Sequence, residues 1–172
     1  MEIKESKVSQ IELIGQLHRQ CFAADEAQEV ANLAMSLMKS SDEVLSLVAL
    51  EEGELIGHVV FSPVKIKEHD QLPTYILAPL AVIGSQQNKG VGTALVEHGL
   101  NLLKVREVVA VFVLGDPNYY GRLGFYASQD IHPPYLISYP EAWQVKALSD
   151  GALSGLCGIA QCVDELMNPD YW

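Results

Sequence analysis

The sequence predicts an α/β (α+β) fold in which a mixed sheet carries helices on both faces. Three observations carry this expectation. Short apolar runs in the first half are spaced as a strand meander. A glycine-bearing segment near residue 90 sits between a strand pattern and a helix pattern. A further strand follows that helix, which makes a β-α-β crossover. The predicted order is β-α-α-β-β-β-α-β-α-β-β.

Residues 1–8 read as a short edge strand. From Ser9 the apolar positions Ile11, Ile14, Leu17, His18 and Phe22 recur at helical spacing. Ser9 and Glu12 fit a capping box. A second helix is predicted over 25–39, with Val30, Leu33, Ala34, Leu37 and Met38 on one face. Residues 44–50 form a strand, Glu51-Glu52-Gly53-Glu54 a tight turn, and residues 55–64 the returning arm of a hairpin. Pro63 is expected to end the regular pairing or mark an edge, and 67–73 to be a polar loop.

Residues 75–83 form a third apolar strand with Pro79 inside it. Proline has no N–H for a ladder, so a bulge or an unpaired side is expected there. A helix over 89–104 presents Val91, Leu95, His98 and Leu102 on one face. A valine-rich strand covers 108–114. Asp116-Pro117-Asn118 opens a short helix, with proline tolerated in its first turn. Phe125 starts a short strand or loop. Residues 131–140 are proline-rich and expected to be irregular. Strands are predicted at 145–148 and 156–163, paired through the 151–155 region.

Composition narrows the function classes. The chain has 172 residues, 49% apolar and 19% charged, which suits a single domain over 1–172 with its own core. No apolar run is long enough to cross a membrane. Residues 1–5 lack the basic-then-apolar order of a signal peptide, so a cytoplasmic location is expected. The net charge of −11 repels a phosphate backbone, which argues against nucleic acid as a partner, and attracts cations. Three cysteines, Cys21, Cys157 and Cys162, are too few and too odd in number for a disulfide framework. The five-residue spacing of Cys157 and Cys162 puts them on opposite faces of a strand, so no metal site is expected.

The chemistry concentrates in Gln87-Asn88-Lys89-Gly90-Val91-Gly92-Thr93. The first turn of a helix leaves N–H groups without partners, and the macrodipole makes that end positive. Together they suit a phosphate or pyrophosphate. Gly90 and Gly92 allow close approach of a ligand, and Lys89 adds charge. A Walker loop would need lysine and then serine or threonine after its last glycine, but Val91-Gly92 follows Gly90. A dinucleotide fingerprint would need glycine where Leu95 stands. A ligand-free strand-helix turn is the other reading of the same residues.

At these residues the chain resembles the GNAT family of N-acetyltransferases. The family signature, Gln/Arg-x-x-Gly-x-Gly/Ala, lies between its fourth strand and the next helix and matches Gln87-Asn88-Lys89-Gly90-Val91-Gly92. A second element, Tyr-x-x-x-Gly-Phe, matches Tyr120-Gly121-Arg122-Leu123-Gly124-Phe125. The longer string from Gly115 to Phe125 resembles a bacterial subgroup of predicted acetyltransferases. The match runs from about residue 55 to residue 125. The resemblance implies a mostly antiparallel twisted sheet of about six to seven strands. It implies acetyl-CoA as acetyl donor and no metal. Leu80, Ala81 and Val82 would hold the pantetheine arm and polarise the thioester carbonyl. The amides of Gln87, Asn88, Lys89, Gly90, Val91, Gly92 and Thr93 would hold the pyrophosphate. Asn118 would contact the cofactor, and Tyr120 would protonate the departing thiolate, with Tyr119 ranked behind it.

The general base is not legible. Asp116 also suits a helix start. His58 either lines the acceptor site or sits on the sheet face. His98 is expected to be packed, and His18, His69 and His132 have no evident partner. Asp25, Glu26 and Glu29 could form an acidic rim for a cationic acceptor or a solvated helix start. The implied partner is an amine, on a small molecule or a protein, and a homodimer through an exposed C-terminal strand is conceivable. A non-catalytic acyl-CoA-binding or sensing domain is the alternative to an enzyme. A binding module in an acidic complex stands third.

Overall fold

Glu52 has φ 51° and Gly53 has φ 88°. A two-residue turn of type I′ needs positive φ at both central positions, because only that twist matches the right-handed twist of the flanking strands. The turn joins β2 (Leu45–Glu51) to β3 (Glu54–Ile66) as an antiparallel hairpin. β1 (Glu2–Glu5) pairs antiparallel with β2. The computed structural model describes residues 1–40 and 43–172. They fall into two compact units, Met1–Phe61 with Ala78–Gly99, and Ser62–Leu77 with Leu100–Trp172.

In the first unit, α1 (Ile11–Cys21) follows a 3-10 turn at Val8–Gln10. The cap expected at Ser9 and Glu12 is replaced by a one-way cap two residues upstream. There the Lys7 N–H donates to Gln10 Oε1 at 2.8 Å. The 3-10 turn starts the helical path before Ser9, so the free amides begin earlier. α2 (Ala27–Leu37) is trimmed by two residues at each end relative to the expectation. Leu33, Ala34 and Leu37 are buried as expected, but Ala27 and Ala31 complete the stripe while Val30 and Met38 stay partly exposed. Ile14, Ala34, Val48 and Leu50 form one core cluster, with Met38 and Leu55 against it.

β4 (Thr74–Val82) leads through a 3-10 turn at Gly84–Gln86 to α3 (Val91–Val105). α3 packs on β3 without room for side chains at two points. A Cβ on Gly99 would lie 2.2 Å from Phe61 Cε2, and one on Gly57 would lie 2.9 Å from Leu95 Cδ1.

In the second unit, the Thr74–Leu77 stretch of β4 pairs in parallel with β5 (Ala110–Leu114), up to Leu77 opposite Val113. This is the expected crossover. After β5 come α4 (Pro117–Tyr120), β6 (Tyr126–Ala127), β7 (Ile131–His132), β8 (Trp143–Ala147) and β9 (Gly158–Cys162). β8 pairs antiparallel with both β5 and β6. β9 pairs antiparallel with Val64–Ile66 of β3 and in parallel with β7. The pairing is mixed and mostly antiparallel, as expected. Among the described residues nine strands are distinguished, because β6 and β7, of two residues each, are counted.

One strand expectation changes and one holds. The two C-terminal strands do not form a hairpin with each other: β8 follows β5, and β9 follows β3. Pro63 ends the regular pairing to β2, as expected, while the strand itself runs on to Ile66. β3 pairs with β2 as far as Phe61 and with β9 from Val64 onward, so the residue without an N–H falls where the strand changes partner.

Candidate functional site

The second half of β4 belongs to the first unit. The ladder to β5 ends at Leu77, and Pro79 follows, joined to Ala78 by a cis peptide bond. Pro79 cannot donate to a neighbour, which fits the interruption expected there. On the β3 side the connection persists, with Ile83 N–H donating to Ile56 O at 3.0 Å. Burial alternates along this stretch: Ala81 is buried, and Leu80 and Val82 are partly exposed. Leu80 and Val82 therefore share the more exposed face of the strand.

Side chains pin the turn after β4 at two points. Gln86 Nε2 donates to Glu51 Oε2 at 2.7 Å, and Gln87 Nε2 donates to Val82 O at 3.0 Å. The Gln87 side chain thus fastens the loop to β4. Asn88 and Gly90 take the left-handed conformation, at φ 60° and φ 85°. Nothing lies within 4 Å of the Cβ position of Gly90. Gln87, Asn88, Lys89 and Gly90 are exposed, Gly92 and Thr93 are half-buried, and Val91 is buried. The first helical bond of α3 runs from Ala94 N–H to Gly90 O at 2.9 Å. The amides of Val91, Gly92 and Thr93 therefore precede the helical ladder, at its positive end. An open backbone and an exposed lysine fit a pyrophosphate.

Two further groups of this unit were not legible as partners. The Cys21 thiol, at the end of α1, takes a hydrogen bond from the Val82 main chain. Burial raises its pKa more than that bond lowers it, so it stays a thiol. His18 does have a partner: its Nε2 lies 2.8 Å from His58 Nδ1, and Ser46 Oγ lies 2.8 Å from His58 Nε2. Ser6 Oγ donates to Ser46 Oγ at 2.6 Å. Both imidazoles are fully buried. Burial lowers the pKa of His18 to about 4. Burial, and then the charge that His18 would carry, hold His58 well below the ordinary histidine value. His58 thus sits on the sheet face, one of the two readings of it, as a core histidine bonded across 40 residues. The only sequence signal was a histidine at position 18 on an otherwise apolar stripe.

Asn118 and Tyr120 belong to the second unit. Asp116 is the N-cap of α4: its Oδ1 accepts from the Asn118 N–H at 2.9 Å, and its carbonyl accepts from the N–H groups of Tyr119 and Tyr120. Tyr120 is buried, edge-on to Tyr119 at 4.9 Å and to Phe125 at 5.6 Å between ring centroids. Burial, and then the neighbouring Tyr119, raise its pKa above that of a free phenol, so it carries its proton. Gly124, at φ 83°, turns the chain from α4 toward Phe125 and β6. Asp25, Glu26 and Glu29 are exposed around the start of α2. Among the described residues no three His, Cys, Asp or Glu groups gather as metal ligands, and no helix is long and apolar enough to cross a membrane.

Comparison with known proteins places this geometry in a family. Residues 11–130 match the family model described as Acetyltransferase (GNAT) family. The chain is 37% identical to the uncharacterized N-acetyltransferase YjhQ of Escherichia coli (strain K12), over 78% of each protein. It is 36% identical to the uncharacterized N-acetyltransferase YhbS of the same strain, over 86% of this chain and 87% of the relative. A crystal structure of the GNAT family N-acetyltransferase YhbS from Escherichia coli in complex with CoA superposes with a TM-score of 0.88. It shares 32% identity and covers 95% of this chain and 90% of its own. A GNAT family acetyltransferase from Brucella melitensis in complex with acetyl-CoA gives a TM-score of 0.79 at 26% identity, covering 95% and 96% of the two chains. With the glycine loop at the start of α3 and the Tyr120–Phe125 element after β5, these matches show that the chain belongs to the GNAT acetyltransferase family.

Proposed function

We propose that this N-acetyltransferase works as a single domain over residues 1–172, transferring the acetyl group of acetyl-CoA to a primary amine by direct attack on the thioester. The observation that carries the reading is the open, left-handed Gly90 at the N-terminus of α3, beside a strand whose ladder to β5 ends at Leu77. The amides from Gln87 to Thr93 hold the pyrophosphate. Leu80, Ala81 and Val82 guide the pantetheine arm, and Asn118 makes a further contact with the cofactor. Gln87 already uses its side chain on Val82 O, so its share in the ligand is through the main chain. The bound CoA and acetyl-CoA of the two superposed relatives support this assignment.

The acceptor amine, once deprotonated, attacks the thioester carbon. A C–N bond forms, the C–S bond breaks, the nitrogen sheds its surplus proton to solvent, and main-chain donors stabilise the carbonyl oxygen as charge develops on it. Tyr120, which keeps its proton at neutral pH, donates it to the thiolate and regains one from solvent. The acceptor is an amine of a small molecule or of a protein, and the reaction belongs in the cytoplasm with its acetyl-CoA supply. A non-catalytic acyl-CoA sensor would keep the loop but need no buried, protonated Tyr120.

Gly90→Glu is expected to abolish acetyl-CoA binding in calorimetry. It forces a side chain into a left-handed position and sets a carboxylate where the pyrophosphate binds. Binding unchanged from the parent protein would overturn the loop assignment. A panel of amines, read by CoA release, is expected to find one turned over faster than water. No acceleration by any amine or protein acceptor would favour the sensor.

A further inference from the structure

The Tyr120 ring rests on bare backbone. A Cβ built on Gly115 would lie 2.4 Å from Tyr120 Cε2, closer than real Cβ atoms come, and a tight 3.0 Å from Cδ2. Gly115 is not among the residues with positive φ. Its lack of a side chain answers a demand for space, not for an unusual conformation. Any other residue there would push the ring off the main chain.

That stretch of main chain is itself latched. β5 ends at Leu114, opposite Trp143 of β8. The ladder continues one residue further, with Gly115 N–H donating to Ala142 O at 2.9 Å. The Gly115 carbonyl accepts from Gln144 Nε2 at 3.1 Å. The same amide lies 3.4 Å from Ala142 O. Gln144 is 2% exposed, one of the few buried polar side chains. A buried amide costs stability unless it is bonded, so the β5 exit it serves has a defined geometry. The next residue, Asp116, caps α4 and accepts from Tyr120 N–H. Both the ring of Tyr120 and its backbone are therefore referred to the same two residues, Gly115 and Asp116.

We propose that Gly115 and Gln144 are positioning residues for Tyr120: the glycine gives the ring its seat, and the glutamine fixes the peptide that forms the seat. The proposal rests on the reading of Tyr120 as the proton donor to the departing thiolate. A donor of this kind works only within hydrogen-bond reach of the sulfur, so a displacement of about 1 Å costs rate on the order of tenfold to a hundredfold.

The test is a pair of double-mutant cycles, Gly115→Ala with Tyr120→Phe and Gln144→Ala with Tyr120→Phe. Acetyl-CoA is the donor, and the fastest amine of the panel is the acceptor; hydrolysis of acetyl-CoA is the readout if no amine is turned over. Gly115→Ala is expected to lower kcat about tenfold or more while the KM for acetyl-CoA stays within about twofold. Gln144→Ala should lower kcat by a smaller factor, and Gln144→Glu, which can still lie along the same path, should not restore it because a carboxylate cannot donate to the Gly115 carbonyl. In the Tyr120→Phe background both losses should vanish, because no phenol is left to position. A merely structural role would lower kcat equally in both backgrounds, and that result would overturn the proposal. If Gly115→Ala fails to fold, the Gln144 cycle alone decides. If Tyr120→Phe itself leaves kcat unchanged, the proton-donor reading fails first. If Tyr120→Phe is slow while Gly115→Ala and Gln144→Ala match the parent, only the positioning proposal fails.

Discussion

His18 and His58 show how much two residues can hide from a linear reading. One lies on a helix and the other in mid-strand, 40 residues away, yet their ring nitrogens are 2.8 Å apart in the core. Both folded-state pKa values are below the ordinary histidine value, because burial disfavours the imidazolium. The unfolded chain therefore binds protons at these sites more readily than the folded one. Their contribution to stability is complete above about pH 6.5 and is lost as pH falls toward the folded value of about 4 for His18. For His18 alone the shift corresponds to about 3 kcal/mol once the pH is below both values. Thermal unfolding is expected to show Tm falling steeply between pH 6.5 and 4. A variant with both His18→Leu and His58→Leu should show a shallower fall. An identical slope in that variant would remove the pair as the cause. In contrast, the open backbone at Gly90 was legible, because it depends on that residue's own conformation and the six residues around it.

At the scale of elements, α3 and β3 meet where neither can accept a side chain. Gly99 faces Phe61, and a Cβ there would sit 2.2 Å from Cε2 and 2.4 Å from Cζ. Gly99→Ala is expected to destabilise the protein by about 1–3 kcal/mol through overpacking, measured as a lower urea midpoint at unchanged slope. Affinity for acetyl-CoA should change little at temperatures where the variant is folded, since Gly99 lies two turns beyond the loop. A midpoint equal to the parent's would show that Phe61 moves aside freely. Elements defined by local pattern were the legible ones: α1, α2, the β2–β3 hairpin, β4, α3 and β5 stand where periodicity and turn residues put them. β8 and β9 were located as segments, but their partners were not. Strand pairing depends on which apolar edge is free nearby, and a sequence window contains no information on that. Pro63 was legible as a break in pairing, but the partner taken up after it was not, for the same reason. A proline forbids a bond to one neighbour, but here it stands where β3 leaves β2 and has yet to reach β9.

Across the whole molecule, a net charge of −11 sets opposite fields for the two substrates. A cationic amine is drawn in, and acetyl-CoA, which carries phosphates, is repelled. Raising ionic strength from about 0.02 M to about 0.3 M shortens the screening length severalfold. The kcat/KM for a cationic acceptor should then fall by a factor of about two to ten, while acetyl-CoA association speeds up or holds level. Stopped-flow binding and steady-state rates measured at both salt levels check this, and a shared direction for both substrates would sink it. The sequence by itself determined the local chemistry: a glycine-loop helix start suited to a pyrophosphate, a tyrosine element after the fifth strand, and through them the family. Those features are contiguous, and an anion site at a helix N-terminus is made by consecutive amides. The tertiary structure alone decided what lies against them. It bonded His18 to His58, set Gln87 on Val82, and laid Tyr120 on Gly115 beneath the latch of Gln144. Such contacts join residues that only folding brings together, and their value comes from burial that no segment has on its own.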